Sequence, residues 1–489
     1  MTNAVHELQQ QVSELRAAVA EMRSEAAQYR AETADLRREL QAMRAQSGPE
    51  QAAQQSGPNS AASGPEAGAP AGATLRAAQA ESIEKRVASL EETSQLLNSK
   101  LNDQYQTKVE GASKYRVRLS GIVLMNLFSN RGQTDNQDVP SYVIGPNQGD
   151  GNFGATLRQS EIGLEVFGPT LAGAKTSANL QADFGGGFAN TWNGVDSGIF
   201  RLRVASMRLD WQQTSVVVGQ DDLFVSPLSP TSFASLIVPG FNYAGNLWAW
   251  TPQVRVEHRF DIADNQNITI QGGILDNLTA EFPADPYFRS PGAGEGSGQP
   301  AYGFRTAWTA TLFGHPLTLG AAGYYSRQDW RFDHYSDGWA GMADWEIPLS
   351  NRVSLSGEFY RGRSVGGIGG GISRSVVYIG NPGSAATAVR GLDSLGGWSQ
   401  FKIRANSKLE FNAGFGLDNP YAAEVRAAAP SQRYVGGLLV QNRSGLVNFI
   451  YRPRSNLLFS TEYRYLQSFG LYSVNNSAEQ INLMMGVLF

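Results

Sequence analysis

The chain ends with Ser477-Ala-Glu-Gln-Ile-Asn-Leu-Met-Met-Gly-Val-Leu-Phe489, in which apolar and polar side chains alternate up to the last residue. One apolar row is formed by Ile481, Leu483, Met485, Val487 and Phe489. Alternation of this kind is typical of a β-strand whose two faces meet different surroundings. An exposed apolar edge strand would promote aggregation of a soluble protein, so the pattern favours the closing strand of a membrane barrel. The last strand of a soluble sandwich is the alternative that this segment leaves open.

The composition also favours a barrel. The 489 residues include no cysteine, which is typical of an oxidising compartment. The formal net charge of −4 argues against a nucleic-acid partner. No stretch approaches the roughly 18 apolar residues that a transmembrane helix needs. Because lipid offers no hydrogen-bond partners to an open backbone, a membrane protein without such helices must be a closed β-barrel.

The first residues do not have the pattern of a secretory signal peptide. Met1-Thr-Asn-Ala-Val-His-Glu7 has neither a basic start nor an apolar run. We therefore expect the numbering to begin at the mature protein with an added methionine, because an outer-membrane location requires export.

A heptad repeat predicts a coiled-coil stalk over residues 1–46. Apolar residues recur at alternating spacings of three and four, as in the core of a left-handed coiled coil. The predicted core residues are Val5, Leu8, Val12, Leu15, Val19, Met22, Leu36 and Leu40. At ~1.5 Å of rise per residue the rod would be roughly 60 Å long. A single amphipathic helix lying against the barrel is the alternative.

Two further segments separate this stalk from the barrel. Residues 47–74 are rich in Ala, Gly, Pro, Ser and Gln, a composition that cannot bury a core, and we expect a disordered linker. Residues 75–110 contain a shorter apolar repeat and predict a second coiled-coil helix. Residues 111–489 then form the predicted barrel domain.

From Tyr115 onward, segments of about ten residues alternate between apolar and polar side chains, as barrel strands do. Ala178, Leu180 and Ala182, for example, alternate with Asn179 and Asp183. Seven short and eight long connections alternate along the chain, which predicts an all-β transmembrane barrel of about sixteen antiparallel strands. Residues 432–441 also resemble a strand, and a full span there would raise the number to eighteen.

No catalytic constellation is visible. The four histidines are scattered, and none has the spacing of a triad or a metal site. We therefore expect no enzyme activity, no metal and no cofactor.

Charged residues on the predicted lumen rows are the candidates for pore lining, because fixed charges determine which ions pass a pore. The candidates are Arg201, Arg203, Arg208, Arg255, Arg305, Arg404, Arg464, Glu161, Asp183 and Asp344. The strand that carries Arg201 and Arg203 loses its alternation near Ala205. The alternative is that these charges pair across strands and keep the wall hydrated.

The third long connection is unusually apolar for a loop exposed to water. Folding back into the barrel would bury it and narrow the pore, whereas packing at a subunit contact is the alternative. The candidate constriction residues are Asp221, Asp222, Phe224, Pro227 and Pro230.

Several of these segments resemble the DcaP-like trimeric outer-membrane porins, over about residues 115–489. The segments are Gly219-Gln-Asp221, Ser226-Pro-Leu-Ser-Pro-Thr-Ser232, Gly245-Asn-Leu-Trp248, Asn442-Arg-Ser444, Val447-Asn-Phe-Ile-Tyr-Arg-Pro453 and Leu458-Phe-Ser-Thr-Glu-Tyr-Arg-Tyr465. The resemblance implies sixteen strands, a homotrimer in the lipid bilayer, and passage of small anionic solutes past basic residues at a constriction.

The resulting hypothesis is a passive diffusion channel in the bacterial outer membrane, with its N-terminal region in the periplasm. Arg201, Arg203 and Arg305 lie on lumen rows near the expected constriction, so we expect a modest preference for small carboxylates. The rival hypotheses are a structural tether, whose stalk contacts the cell wall, and a barrel enzyme.

Overall fold

The computed structural model describes residues 115–145, 151–188, 198–280, 289–380, 384–427, 439–471 and 475–489. The chain divides into two compact units, Met1–Lys108 and Val109–Phe489, and every described residue belongs to the second. The predicted coiled-coil segments and the linker lie outside the described residues.

The described residues are mainly β-structure. The strands are β1 (Arg116–Arg131), β2 (Gln133–Thr134), β3 (Val143–Gly145), β4 (Gly151–Thr156), β5 (Glu161–Phe167), β6 (Lys175–Asp183), β7 (Arg201–Asp210), β8 (Thr214–Asp222), β9 (Trp250–Ala263), β10 (Gln266–Leu275), β11 (Ala301–Leu312), β12 (His315–Asp329), β13 (Tyr335–Pro348), β14 (Val353–Arg363), β15 (Val376–Ile379), β16 (Ala388–Gly391), β17 (Asp393–Arg404), β18 (Leu409–Pro420), β19 (Leu439–Arg454), β20 (Leu457–Gly470) and β21 (Asn476–Leu488).

Short helices occur between the strands, at Phe233–Ser235, Ala293–Gly296, Gly366–Ile368, Gly370–Ser373 and Ala422–Ala427. None of the helices in the described ranges is long and apolar enough to cross a membrane.

Seventeen of the strands form one antiparallel sheet that closes on itself. β4 and β5 pair with successive parts of β1, so they act as one interrupted strand and the barrel has sixteen. The ring closes where β1 pairs with β21, from Ile122↔Leu488 to Arg131↔Glu479. Beyond that ladder, the backbone N–H groups of Gly121 and Phe489 donate to each other's carbonyl oxygens, at 3.0 and 3.1 Å. The predicted sixteen-strand barrel is therefore confirmed.

The barrel wall is apolar outside and polar inside. On β21, Leu483 is 50% exposed, whereas the neighbouring Asn482 is fully buried and its amide contacts Asn126 across the closing seam. The same alternation holds on β11, where Phe304 is exposed and Arg305 is buried. A soluble barrel would have the opposite arrangement, so the outward apolar row confirms the interpretation of the C-terminal segment.

The two ends of the barrel differ in their connections. Seven connections lie at one end and eight at the other, as the sequence predicted. Six of the eight are much longer than the seven, whereas the connections 330–334 and 471–475 are short themselves. The described part of the ambiguous segment 432–441 is the beginning of β19, so it adds no further strand. β1 begins, and β21 ends, at the short-turn end.

The outward row of β21 allows a test of the membrane-facing surface. We expect Leu483→Lys, near the middle of β21, to lower the free energy of unfolding by about 2–4 kcal/mol, because a lysine at the bilayer midplane is costly. Val487→Lys, on the same row near the short-turn end, should cost only about 0–1 kcal/mol. Urea titration in lipid vesicles, read from the different gel mobility of folded and boiled protein, measures both. Equal costs at the two positions would contradict a lipid-facing β21.

Candidate functional site

The connection between β8 and β9, residues 223–249, folds into the barrel and is called the constriction loop below. Leu223, Phe224 and Val225 at its start are at most 4% exposed. They pack against inward-facing apolar side chains of β10–β14, including Tyr324 and Tyr360. The barrel interior therefore provides the apolar surface that this loop requires, and the loop's contacts lie on the inner wall.

Glu358 on β14 anchors the first half of the loop. Its carboxylate accepts hydrogen bonds from Ser226 Oγ at 2.7 Å and from the Leu228 backbone N–H at 2.8 Å. Trp398 Nε1 on the neighbouring β17 donates to the same carboxylate at 3.3 Å. Because Glu358 is only 4% exposed, these donors satisfy a carboxylate that water reaches poorly.

The far end of the loop is anchored by Gln159, which precedes β5 and is fully buried. Its Nε2 donates to the Ala234 carbonyl at 2.9 Å, while its Oε1 accepts from the backbone N–H groups of Leu236 and Ile237 at 2.8 and 3.1 Å. One side chain thus satisfies three backbone groups, one in the short helix Phe233–Ser235 and two in the residues that directly follow it.

Between these anchors the loop follows the wall formed by β17–β20. The Thr231 N–H donates to Gln400 Oε1 at 2.7 Å, and the Thr231 carbonyl accepts from Asn448 Nδ2 at 2.9 Å. Ser232 Oγ donates to Glu462 on β20. The loop therefore crosses the lumen and is held on several strands far from its own ends.

The loop returns to β9 through Gly245, which has a φ of +97°. A Cβ built there would lie 2.4 Å from backbone atoms of Gly397 and Leu417. Both the backbone conformation and the close approach to β17 and β18 require glycine. This requirement explains the glycine of the Gly245-Asn-Leu-Trp248 segment.

A cavity of about 410 Å³ remains between the constriction loop and the wall. Its wall side includes Glu161, Arg203, Asp222 and Trp250, and its loop side consists mainly of serine, threonine and proline from residues 226–239. Charged and hydroxyl groups alternate in this lining with apolar side chains such as Phe233 and Leu236, so a small hydrophilic solute or hydrated ion that occupies the cavity would find polar partners on both sides. We call this cavity the eyelet.

A β-bulge places two arginines beside the eyelet. Gln181 pairs with Val204 and Ala182 with Leu202, so Arg203 is the extra residue of β7. The sequence predicted a slip in the alternation of this strand near Ala205, and the bulge lies two residues earlier, at Arg203. A bulge re-aims side chains, and this one allows both Arg201 and Arg203 to approach Trp250, at 4.8 and 4.5 Å from its ring centroid.

Both arginines are paired with acids. Arg201 donates to the two Asp183 oxygens at 3.1 and 2.7 Å, and to the Ile237 carbonyl of the constriction loop at 2.6 Å. Arg203 pairs with Glu161 and lies 3.6 Å from Asp183. The structure thus brings four of the predicted residues together, but their charges largely neutralise one another.

The other charged candidates lie elsewhere on the inner wall, and all but one are paired. The pairs are Arg208 with Asp210 and Glu257 (2.7 and 2.9 Å), Arg255 with Asp221 and Glu257 (both 2.8 Å), Arg305 with Asp344 (2.6 Å) and Arg464 with Glu462 (2.6 Å). None of these arginines lines the eyelet, Arg305 included. Arg404 is exposed at the short-turn end of β17.

The five constriction-loop candidates differ in their positions. Asp221 and Asp222 are the last residues of β8, so their assignment to the loop was wrong. The strand continues to Asp222 because both residues pair with β9, at Thr251 and Trp250. Phe224 is buried against the wall, whereas Pro227 and Pro230 line the eyelet.

The first long connection also folds against the inner wall. Its Gln137 carbonyl accepts from Gln480 at 2.9 Å, and its Asp138 pairs with the buried Arg158 at 2.8 Å. Asp135 closes the loop by accepting from the Ser141 N–H at 2.8 Å. Burial raises the pKa of Asp135 to about 6, although backbone hydrogen bonds oppose this shift.

The loop anchors were not among the predicted site residues. Gln159, Glu358 and Glu462 lie on rows that the alternation predicts to face inward. The alternation indicates that these long polar side chains face inward. It does not indicate which loop atom each side chain would contact. Among the described residues, no cluster of His, Cys, Asp and Glu could hold a metal ion.

No family model matches the chain, and no curated protein sequence matches it. The fold is similar to that of the outer-membrane channel DcaP of Acinetobacter baumannii, with a TM-score of 0.60 and 14% identity over 78% of this chain and 100% of that chain. An anion-selective porin from Comamonas acidovorans (TM-score 0.47, 12% identity, 77% and 100% covered) and OmpT of Vibrio cholerae (0.44, 10%, 78% and 100%) are more distant. The resemblance noted in the sequence is thereby confirmed at the level of the fold.

The Glu358 anchor generates a prediction about the width of the passage. Glu358→Ala should release residues 226–228 from the wall, because two loop donors lose their acceptor. We expect a larger mean single-channel conductance with more current noise than in the wild type. Ser460→Ala is the control, since Ser460 faces inward on β20 but bonds only the Phe449 carbonyl. Unchanged conductance and noise in Glu358→Ala would mean that the other anchors hold the loop without it.

Proposed function

We propose that the protein is a passive diffusion channel for small hydrophilic solutes in the bacterial outer membrane. The observation that carries this proposal is the eyelet of about 410 Å³, lined in part by Glu161, Arg203, Asp222 and loop hydroxyl groups, and left where the constriction loop crosses a barrel with an apolar exterior. An apolar exterior suits lipid, and charged and hydroxyl groups along the passage provide partners for hydrated solutes.

Liposome swelling tests this proposal directly. Vesicles that contain the protein should admit small neutral sugars and exclude larger oligosaccharides, because the eyelet sets a size limit without needing to recognise a particular solute. A structural tether would leave the vesicles impermeable to every sugar, so the same assay separates the two hypotheses. Glu358→Ala should raise the size limit if the constriction loop is the barrier.

We further propose a modest preference for small anions such as carboxylates. Arg203 lines the eyelet and Arg201 bonds the loop beside it, which supports a local attraction for anions. Their pairing with Glu161 and Asp183 limits the size of this attraction.

The stalk and the oligomeric state are also proposals. Residues 1–46 and 75–110 would form coiled coils joined by the linker 47–74, and three chains would assemble in the membrane. β1 begins at the short-turn end, which is the periplasmic end of outer-membrane barrels. The N-terminal region would accordingly lie in the periplasm, with the cell wall as a candidate partner.

The eyelet arginines provide a test of selectivity. Arg201→Ala combined with Arg203→Ala should lower the anion preference, because Asp183 and Glu161 would then be uncompensated. Reversal potentials in a KCl gradient measure the preference. Arg443→Ala is the control, because Arg443 lies over the ring of Phe469 and does not line the eyelet. A cation-preferring wild-type channel would contradict the proposed selectivity while leaving the channel itself intact.

Removal of residues 1–110 tests the role assigned to the stalk. The described barrel closes with strands that all follow residue 115, so we expect the truncated chain to form a conducting barrel. Its assembly should be weaker if the heptad repeats associate chains. Mass measurement of full-length and truncated protein in detergent compares their assembly. A truncated chain that forms no barrel would show that the N-terminal region is needed for more than association.

A further inference from the structure

Six basic side chains share one sector of the short-turn end of the barrel and are called the basic rim. They are Arg352, Lys402, Arg404, Lys408, Arg452 and Arg454. All belong to β14, β17 and β19 or to the turns beside them, and β14, β17, β18, β19 and β20 are consecutive neighbours in the sheet. At about 4.8 Å between strands, these five strands span roughly 20 Å of the rim.

Backbone hydrogen bonds between the turns bring these residues together. The Arg404 N–H donates to the Arg352 carbonyl at 2.7 Å, and the Arg452 N–H donates to the Lys408 carbonyl at 2.7 Å. Two pairs of basic residues are therefore fixed as direct neighbours, although each pair is separated by more than 40 positions in the chain.

The basic rim is largely uncompensated. Among the described residues, Lys402 is the one member with a carboxylate within 4.0 Å, namely Glu410 at 3.9 Å. Glu346 shares a cavity of about 90 Å³ with Arg352 and Arg404 but forms no ion pair at that distance. Each eyelet arginine, in contrast, has an acidic partner.

On the opposite side of the same rim, several arginines have acidic partners. On β7 and β9, Arg208 pairs with Asp210 and Glu257, and Arg259 pairs with Asp261 at 3.0 Å. Among the described residues, Arg116 on β1 and Lys175 on β6 are single basic residues without an ion pair at this end, so the largest group of unpaired positive charges at the short-turn mouth lies in the β14–β20 sector.

One member of the basic rim approaches the constriction. The guanidinium of Arg452 lies 5.6 Å from the ring centroid of Phe233, and Phe233 lines the eyelet. The basic residues thus extend from the mouth of the barrel up to the underside of the constriction loop.

We infer that the basic rim is the main source of the channel's preference for small anions, and that it acts by concentrating chloride and carboxylates at the short-turn mouth. The inference rests on the proposed channel function. Uncompensated charges raise the local concentration of counter-ions, whereas the field of a close ion pair decays over a short distance. The anion preference should therefore depend on which solution faces the short-turn end. It should also decrease as the salt concentration rises, because the screening length is about 30 Å at 0.01 M and 10 Å at 0.1 M.

The main test removes charge from the rim without removing it from the eyelet. In the variant Arg352→Gln/Arg404→Gln/Lys408→Gln/Arg454→Gln, we expect the chloride-to-potassium permeability ratio to fall about twofold or more when the dilute solution faces the short-turn end. The fall should be smaller when the concentrated solution faces that end. Arg259→Gln/Asp261→Asn, which removes a neutral pair from the same rim, should behave like the wild type.

In a second variant, chemical modification of an introduced cysteine adds a positive or a negative charge to the basic rim. The side from which the reagent acts also shows which way the channel is inserted in the bilayer. The chain has no cysteine, so Arg454→Cys offers a unique thiol at the exposed end of β19. A cationic quaternary-ammonium methanethiosulfonate should raise the anion preference, and an anionic sulfonate reagent should lower it. Both reagents should act faster from the short-turn side. Opposite shifts from one variant exclude misfolding as the cause.

The outcomes separate the inference from the proposed function. Wild-type selectivity in the four-residue variant, or equal shifts with the two thiol reagents, would overturn the role of the basic rim. A change confined to Arg201→Ala/Arg203→Ala would assign selectivity to the eyelet instead. Absence of any conductance in the wild type would reject the channel itself.

Discussion

Closure of the sheet is the constraint on which the rest of the structure depends. Lipid cannot satisfy unpaired backbone N–H and C=O groups, so a membrane sheet must have no free edge. The pairing of β1 with β21, continued by Gly121 and Phe489, meets this requirement. Closure also divides every strand into a lipid row and a lumen row. The apolar row then has to face outward, and the polar row lines an interior that the loops can enter.

The shape of the barrel interior depends on how much of the lumen the constriction loop fills and how much it leaves open to solutes. The constriction loop buries apolar residues against β10–β14 and satisfies Glu358 and Gln159, which stabilises it inside the barrel. The eyelet is the space that this packing leaves. Its arginines also stabilise the loop, because Arg201 bonds both Asp183 and the Ile237 carbonyl. Charges engaged in this way are poorly placed to act on a passing ion, whereas most of the basic rim has no ion-pair partner among the described residues, apart from Lys402 beside Glu410.

The architecture could be predicted from the sequence because every strand of a membrane barrel needs apolar residues on its lipid face and polar residues on its lumen face. Alternation separates the lipid row from the lumen row, as Leu483 and Asn482 illustrate, and connection lengths separate the two ends. The inward fold of the third loop followed from its apolar composition. The anchors could not be predicted, because Ser226 and Glu358 are 132 positions apart and their contact depends on the path of the loop. The slip near Ala205 could be predicted only approximately, because alternation reveals a bulge, here at Arg203, only in the residues that follow it.

The proposed channel requires that the lumen be an open, water-filled passage narrowed by the constriction loop. Single-channel conductance of the full-length protein in planar bilayers, across a wide range of KCl concentrations, tests this requirement. An open passage gives discrete openings whose conductance increases in proportion to the bulk conductivity at high salt, where fixed charges are screened. Absence of openings, or a conductance that saturates well below molar salt, would contradict an open passage.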